Sequence, residues 1–431
     1  MKRRITAAAL LATAAIALSA CTGGGGGDSA SSGAIDTSGE LSGTIQFQTW
    51  SLKNATFTPY FENVIASFEK EHPKVTVKWI DQPGDGYQDK ILSQANANTL
   101  PDVLNLPPDI AFPLAQAGKL LDVNAADPTL AKTFVPGAWE SYSYPGITGT
   151  FGLPWYLGTD LAWWNEAALK QYGVDTADLP TTQQQLIDLA IKVGNASGGK
   201  MPVVSSMPGL AELASDGVTI LDDKGDFVFN TAKAAALLDS YKKVLDAGGM
   251  PAEALTGSYA GNATMFQQGK VAYTSAGSNF PTQLKENAPS ILASTIATAR
   301  TGDAPLFVQG LSVSNDSKNK AAALAFATYV TNTENQIAFC KLASGFLPGT
   351  VEGSAAADQL SAGVTDPLQL KAMKIVSEEM KTARVLTPFQ WTDAMTTFLN
   401  QQVALALQGK ETSKAALDKV VDYANQNKTT D

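Results

Sequence analysis

The chain has 431 residues, 44% apolar and 17% charged, the proportions of an ordinary folded protein but too long for a single core. Its formal net charge of −10 argues against nucleic acid and anionic membrane as partners, since both need basic patches, and says nothing against a neutral ligand. One histidine and two cysteines leave little material for triads, zinc sites or a disulfide framework.

Met1-Lys2-Arg3-Arg4 is basic and residues 5–18 are apolar, interrupted only by Thr6 and Thr13, so residues 1–20 read as a secretory signal. The junction Leu18-Ser19-Ala20-Cys21 resembles a bacterial lipobox, which implies that Cys21 is diacylated and becomes the first mature residue. Two acyl chains give stable anchoring. Residues 21–40 are Gly/Ser-rich and include Gly23 to Gly27, a flexible tether with a reach of about 25 Å. No later run is apolar enough to span a bilayer.

From residue 44 the sequence alternates up to Trp50, the period of a strand. Phe57, Phe61, Val64, Ile65 and Phe68 share one face of a helix predicted over 57–70, which His72 and Pro73 stop. A second strand over 75–80 makes the opening β-α-β, the unit of a parallel sheet. A helix over 87–97, a strand over 102–106 and a helix over 110–117 containing Pro113 follow. In open α/β sheets ligands sit beyond the carboxyl ends of the strands. Trp50 ends the first strand and Asp109 follows the third, so both are expected at that edge.

Residues 151–166 hold three of the seven tryptophans. Gly152 and Pro154 oppose a helix before Trp155, whereas the residues after Asp160 favour one, capped by Thr159 or Asp160. The expectation is an extended aromatic segment running into a helix that carries Trp163 and Trp164 into a core. Beyond it, Thr181 caps a helix through 193, residues 220–230 form a hairpin, and helices cover 232–246 and 260–268. A strand over 269–275 ends in a turn with Ser278, Asn279 and Phe280. A strand over 308–314, a helix over 317–330, the punctuation Gly345-Phe346-Leu347-Pro348-Gly349 and helices over 366–380, 391–407 and 413–425 complete the chain.

Catalytic chemistry is sparse. His72, in Glu71-His72-Pro73-Lys74, reads as a solvated surface residue, and Cys340 beside Phe339 as a small buried hydrophobe. No Cys/His cluster has zinc spacing and no phosphate-binding Gly-x-x-x-x-Gly-Lys-Ser/Thr loop occurs. Carboxylates are numerous, so a glycosidase pair stays open as an enzyme reading.

Four segments, in order, resemble the extracellular solute-binding proteins of ABC importers, in the carbohydrate branch related to maltose-binding protein. Residues 61–80 resemble the family's first helix and second strand. Gly152-Leu153-Pro154-Trp155-Tyr156 followed by Trp163-Trp164-Asn165-Glu166 resembles its Gly-x-Pro and aromatic-aromatic-Asn-acid at the first lobe crossing. Gly269-Lys270-Val271-Ala272 through Gly277-Ser278-Asn279-Phe280 resembles Gly-Lys-x-Ala…Gly-x-Trp, but Phe280 follows Asn279 where the family often has Trp after Gly. Gly310-Leu311-Ser312-Val313-Ser314, Ser317-Lys318-Asn319-Lys320 and Gly345-Phe346-Leu347-Pro348 resemble the second lobe's return and exit. The likeness covers nearly all of 41–427. Each motif is weak alone; their order and spacing are specific.

The resemblance implies an α/β fold of the two-lobe periplasmic-binding-protein kind, hinged, with ligand in the inter-lobe cleft and the lobes closing on it. Crossings are expected near 151–157, 306–311 and 345–349, giving an N-lobe of 41–153 plus 310–345 and a C-lobe of 154–309 plus 346–431. It implies no bond chemistry, no cofactor and no metal. The expected role is capture of a sugar or oligosaccharide and delivery to ABC permease subunits, by a monomer anchored at the outer face of the cytoplasmic membrane. Rings stack on sugar faces while Asp, Asn and hydroxyls read the rim. Trp50, Asp109, Trp155, Tyr156, Asp160, Ser278, Asn279 and Trp391 are the expected ligand-binding residues. Trp79 and Trp139 are left to packing. Lys53 is the nearest cation, which disfavours a phosphate such as glycerol phosphate. Only Asp109 and Asp160 are in view for a polyamine. A surface glycosidase is the alternative outside the binding proteins.

Overall fold

The computed structural model describes residues 33–256 and 262–428; Cys21, the signal and most of the tether lie outside them. The first elements are β1 (Gly43–Trp50), α1 (Thr58–Glu71), β2 (Val75–Gln82), α2 (Tyr87–Asn96), β3 (Val103–Leu106) and α3 (Pro108–Gln116). The helices match the periodicity of the sequence because each buries one stripe: Phe61, Val64 and Phe68 of α1, for instance, face the sheet. Six strands follow: β4 (Leu153–Gly158), β5 (Leu161–Asn165), β6 (Tyr273–Ala276), β7 (Thr295–Thr298), β8 (Phe307–Val313) and β9 (Leu347–Pro348).

Two sheets define two lobes. The N-lobe sheet has the order β2-β1-β3-β8-β4-β9, with β1 parallel to β2 and β3, and with β8, β4 and β9 joining by antiparallel pairing. One face packs Phe47, Val103, Trp155 and Leu311 against α1 and the helix Lys320–Val330, with Phe47 lying 5.2 Å from Phe326. The other face packs Leu104, Leu106, Leu157 and Val308 against α2, α3 and Tyr142. The C-lobe sheet, β6-β5-β7, is antiparallel and shares a core with the helices Gln183–Ser197, Ala232–Asp246, Asp393–Leu407 and Ser413–Asn427.

Three expectations need correction. Residues 161–165 are a strand, not a helix: β5 is the central strand of the small sheet, and its rings serve as two-sided core. Trp163 meets Phe280 at 5.5 Å on one face and Trp164 meets Tyr273 at 4.7 Å on the other, both fully buried. Aromatic residues suit such a strand better than a helix. The cap of the helix Gln183–Ser197 is Thr182, with Gln185 completing a capping box, rather than Thr181.

The crossings also move. Residues 153–158 are a paired strand of the N-lobe sheet, so the first passage is Thr159-Asp160. β8 and β9 likewise belong to that sheet, placing the second passage over 299–306 and the third between Pro348 and Pro367, where the helix Pro367–Glu379 begins. Gly152 and Pro154 suggested irregularity for other reasons. Pro154 sits at a register shift before Tyr156, where its missing N–H is tolerated. Tyr142 lies across Gly152 and Gly310, where a Cβ on Gly310 would stand 2.6 Å from Tyr142 Cζ. The Tyr142 hydroxyl donates to Leu106 O at 2.6 Å, bolting three strands together.

One short stretch touches both lobes. The Phe389 ring lies 4.3 Å from Phe112 and 4.9 Å from Tyr144 of the N-lobe. Two residues later Trp391 packs on Phe227 and Phe229 of the C-lobe, at 5.4 and 5.7 Å.

Candidate functional site

The carboxyl ends of β1, β2 and β3 and the start of β8 form one edge of the N-lobe sheet. The first two passages leave from this edge: β4 ends at Gly158 and β8 begins at Phe307, opposite it in register. By the strand-end rule this edge is the candidate ligand floor.

The large expected rings are mostly spent on packing. Trp155 is fully buried, 4.5 Å from Phe339 and 5.7 Å from Phe61. Tyr156 is buried between Phe339 and Phe346, both at 5.0 Å, and burial pushes its hydroxyl pKa up. Both belong to an inner strand whose two faces are covered by helices. Trp50 is half-buried beside Tyr87, with the Gly84 backbone close to its ring. Its Nε1 is buried without a partner. Trp391 donates from Nε1 to Thr396 Oγ1 at 2.8 Å and covers the C-lobe core. Trp79 packs on Phe61 at 4.8 Å as expected, with Lys53 over its ring. His72 is half-buried against the Phe68 ring rather than fully solvated, because the C-cap of α1 folds it back.

The exposed rings at the edge are Phe307, 51% exposed, and Phe346, 38% exposed. They flank Gly158. A Cβ there would stand 3.1 Å from the Phe346 ring, so the glycine lets that ring lie close against the strand. Val385, also exposed, follows Arg384, whose carbonyl accepts from Leu306 N at 2.8 Å. Gln309 follows Phe307 on the same strand face. Its Oε1 accepts from Asn105 Nδ2 at 3.2 Å, and Asn105 Nδ2 also reaches Gly310 O. Asn105 Oδ1 is buried with no partner.

Charged groups border this surface. Asp109 lies in the first turn of α3 and keeps exposed area, yet surrounding protein raises its carboxyl pKa chiefly by desolvation, with Asp393 of the C-lobe adding to it. Asp160, on the first passage, stands 3.8 Å from Arg300 on the second. Desolvation raises its carboxyl, Arg300 opposes this, and Glu212 reinforces it. Ser278 is buried and its carbonyl accepts from Gln369 Nε2 at 2.7 Å. Asn279 precedes the helix Phe280–Asn287, and a Cβ on Gly345 would stand 3.0 Å from its own Cβ. Ser278 therefore ties to the helix Pro367–Glu379 within the C-lobe, and Asn279 lies against the Gly345 turn that leads into β9.

The structure thus brings Asp109 and Asp160 to the edge and sends Trp155, Tyr156, Ser278 and Trp391 into packing. Sequence reading missed Phe307, Phe346, Gln309 and Arg300. Phe307 and Phe346 stood inside segments marked as crossings, and that was their signal. Among the described residues no group of three His, Cys, Asp or Glu side chains could hold a metal ion, and no helix is long and apolar enough to cross a membrane. A surface hollow of about 310 Å³ near Phe68, His72 and Tyr329 lies at the amino ends of the strands, away from this edge; one of about 360 Å³ between 214–221 and 384–388 borders it.

Two sheets joined by three passages define a two-lobe α/β protein. Residues 54–337 match the bacterial extracellular solute-binding protein family, and the chain belongs to it. It is 24% identical over 205 residues to YcjN of Escherichia coli strain K12, a candidate ABC transporter periplasmic-binding protein; the match spans 44% of this chain and 45% of YcjN. It is 22% identical over 325 residues to a lipoprotein of Streptomyces antibioticus, covering 68% of each. The crystal structure of a candidate oligosaccharide periplasmic-binding protein from Synechococcus sp. MITs9220 superposes with a TM-score of 0.78 at 26% identity, over 89% of this chain and 98% of that one.

Proposed function

We propose that this protein is the lipid-anchored, ligand-capturing component of an ABC importer, and that it takes a neutral sugar or oligosaccharide between its lobes and hands it to the permease. The observation that carries the sugar reading is the exposed pair Phe307 and Phe346 beside the Asn105–Gln309 amides, at the edge where both passages start. Flat apolar rings match the C–H faces of a pyranose, and the half-buried Gln309 amide beside them matches its hydroxyl rim. Asp109 and Asp160 accept further hydroxyls. Trp155 and Tyr156 support the platform from behind. The likeness to the Synechococcus protein supports an oligosaccharide, and the likeness to the Streptomyces lipoprotein supports acylation at Cys21.

No step of bond chemistry is assigned. Ligand shifts the lobes toward closure because it contacts both only when they are shut. A calorimetric screen of mono- and oligosaccharides on the full-length protein tests this: a neutral saccharide binds without turnover. Binding of glycerol phosphate or a polyamine in place of every saccharide, or release of hydrolysed product, would overturn it.

A further inference from the structure

The sugar reading leaves one group unused. Arg300 is a guanidinium with 11% side-chain exposure whose Nε is buried without a hydrogen-bond partner. Its ion-pair contact among the described residues is Asp160 Oδ2 at 3.8 Å, beyond hydrogen-bond reach. A buried charged donor such as this Nε–H left without a hydrogen bond is costly, so its retention calls for an occasional partner at this guanidinium. The two residues lie side by side for a topological reason. Asp160 is on the β4–β5 passage and Arg300 on the β7–β8 passage, while β4 pairs with β8 and β5 with β7. Both are therefore fixed between the sheets, two and seven residues from the Gly158–Phe307 pair. Thr159, next to Asp160, contributes a second buried and unpartnered polar atom, Oγ1.

We propose that Arg300 and Asp160 form a donor–acceptor pair that reads two adjacent hydroxyls of an uncharged sugar, and that this pair sets specificity against anionic solutes. This rests on the sugar reading of the cleft. A diol fits because its oxygens accept from the guanidinium fork while its hydroxyl protons go to the carboxylate. An anion does not fit. Besides Asp160, the carboxylates of Glu212 and Glu379 share this neighbourhood, since Glu212 raises the Asp160 pKa and Arg300 opposes the desolvation that raises that of Glu379. Acids thus outnumber the one guanidinium around this pair.

The test is a double-mutant cycle by calorimetry on the full-length protein. Neutral gluco-, galacto- and manno-configured disaccharides are titrated, then the deoxy analogues of the best binder at each vicinal hydroxyl and its uronate counterpart. Wild type is expected to lose about tenfold or more on removal of either hydroxyl of one vicinal pair and to reject the uronate. Arg300→Gln is expected to bind the parent sugar about 10–100-fold more weakly and no longer to distinguish it from those deoxy analogues. A role in folding alone would not abolish that discrimination. Arg300→Lys, which keeps the charge and loses the fork, carries the same cycle should the glutamine variant not fold. Undiminished deoxy discrimination in the folded variant, or preference of wild type for the uronate, overturns the inference while the sugar reading stands. Absence of any saccharide binding overturns both.

Discussion

Phe307 offers the most direct test of where the ligand lies. It is 51% exposed, so about half of its surface already rests on protein and half is open. A ring of this kind covers on the order of 150–250 Å² when fully buried, so a sugar stacked on the open half removes about 100 Å² from water. At about 25 cal/mol per Å² the ceiling is about 2.5 kcal/mol, and a sugar face that is partly polar realises about half to all of it. Phe307→Ala is therefore expected to weaken binding by about 10–60-fold at about 1.4 kcal/mol per tenfold. It also loses the covered half, so its stability falls by a similar amount, about 2 kcal/mol. Phe307→Leu separates the two effects. It refills the covered half at a cost below about 1.5 kcal/mol of stability, but presents no flat face, so affinity still drops by several-fold. Calorimetry with the best saccharide and urea unfolding of the same samples measure both quantities. If both variants bind within twofold of wild type, the platform has been misplaced and the reasoning fails.

Three further outcomes follow from the same structure. Trp155→Ala removes a fully buried ring from between Phe61 and Phe339, so urea unfolding should show a loss of about 3–5 kcal/mol; a loss under 1 kcal/mol would mean that the ring is not core. The folded protein holds the proton of Asp109 more tightly than an unfolded chain with a pKa of 3.8, so the ionised carboxyl subtracts stability as pH rises through the folded value. Asp109→Asn should accordingly raise the melting temperature at pH 7, with the gain vanishing toward pH 3.5; a uniform gain at all pH values would point to another cause. Cys21→Ala should move the protein from the membrane fraction to the soluble fraction, and equal membrane retention would remove the acyl anchor from the account.

Much of the N-lobe was legible because its elements alternate between short strands and one-sided helices, whose periods differ. Phe61, Val64 and Phe68 form a stripe that their spacing alone reveals. β5 was not legible in that way. A strand buried on both faces has no period, and Leu161-Ala162-Trp163-Trp164-Asn165 reads equally well as helix. The site was harder still. Tryptophan marks places where a ring matters, but sequence does not say whether a helix covers it. Trp155 is covered because Phe339, nearly two hundred positions away, lands on it. Phe307 is open because its partner across the ladder is Gly158, which brings no side chain to hide it. Arg300 acquires meaning only through the pairing of two passages that lie far apart in the chain.

The short stretch from Phe389 to Trp391 limits how this molecule can open. Two residues of extended chain span at most about 7 Å. While Phe389 stays seated on Phe112 and Tyr144 and Trp391 on Phe227 and Phe229, the lobes cannot part at this point. They can only turn about it, as a door turns on a short leather strap. Travel is then smallest at the strap and grows with distance from it, so a modest rotation becomes a wide opening at the far rim.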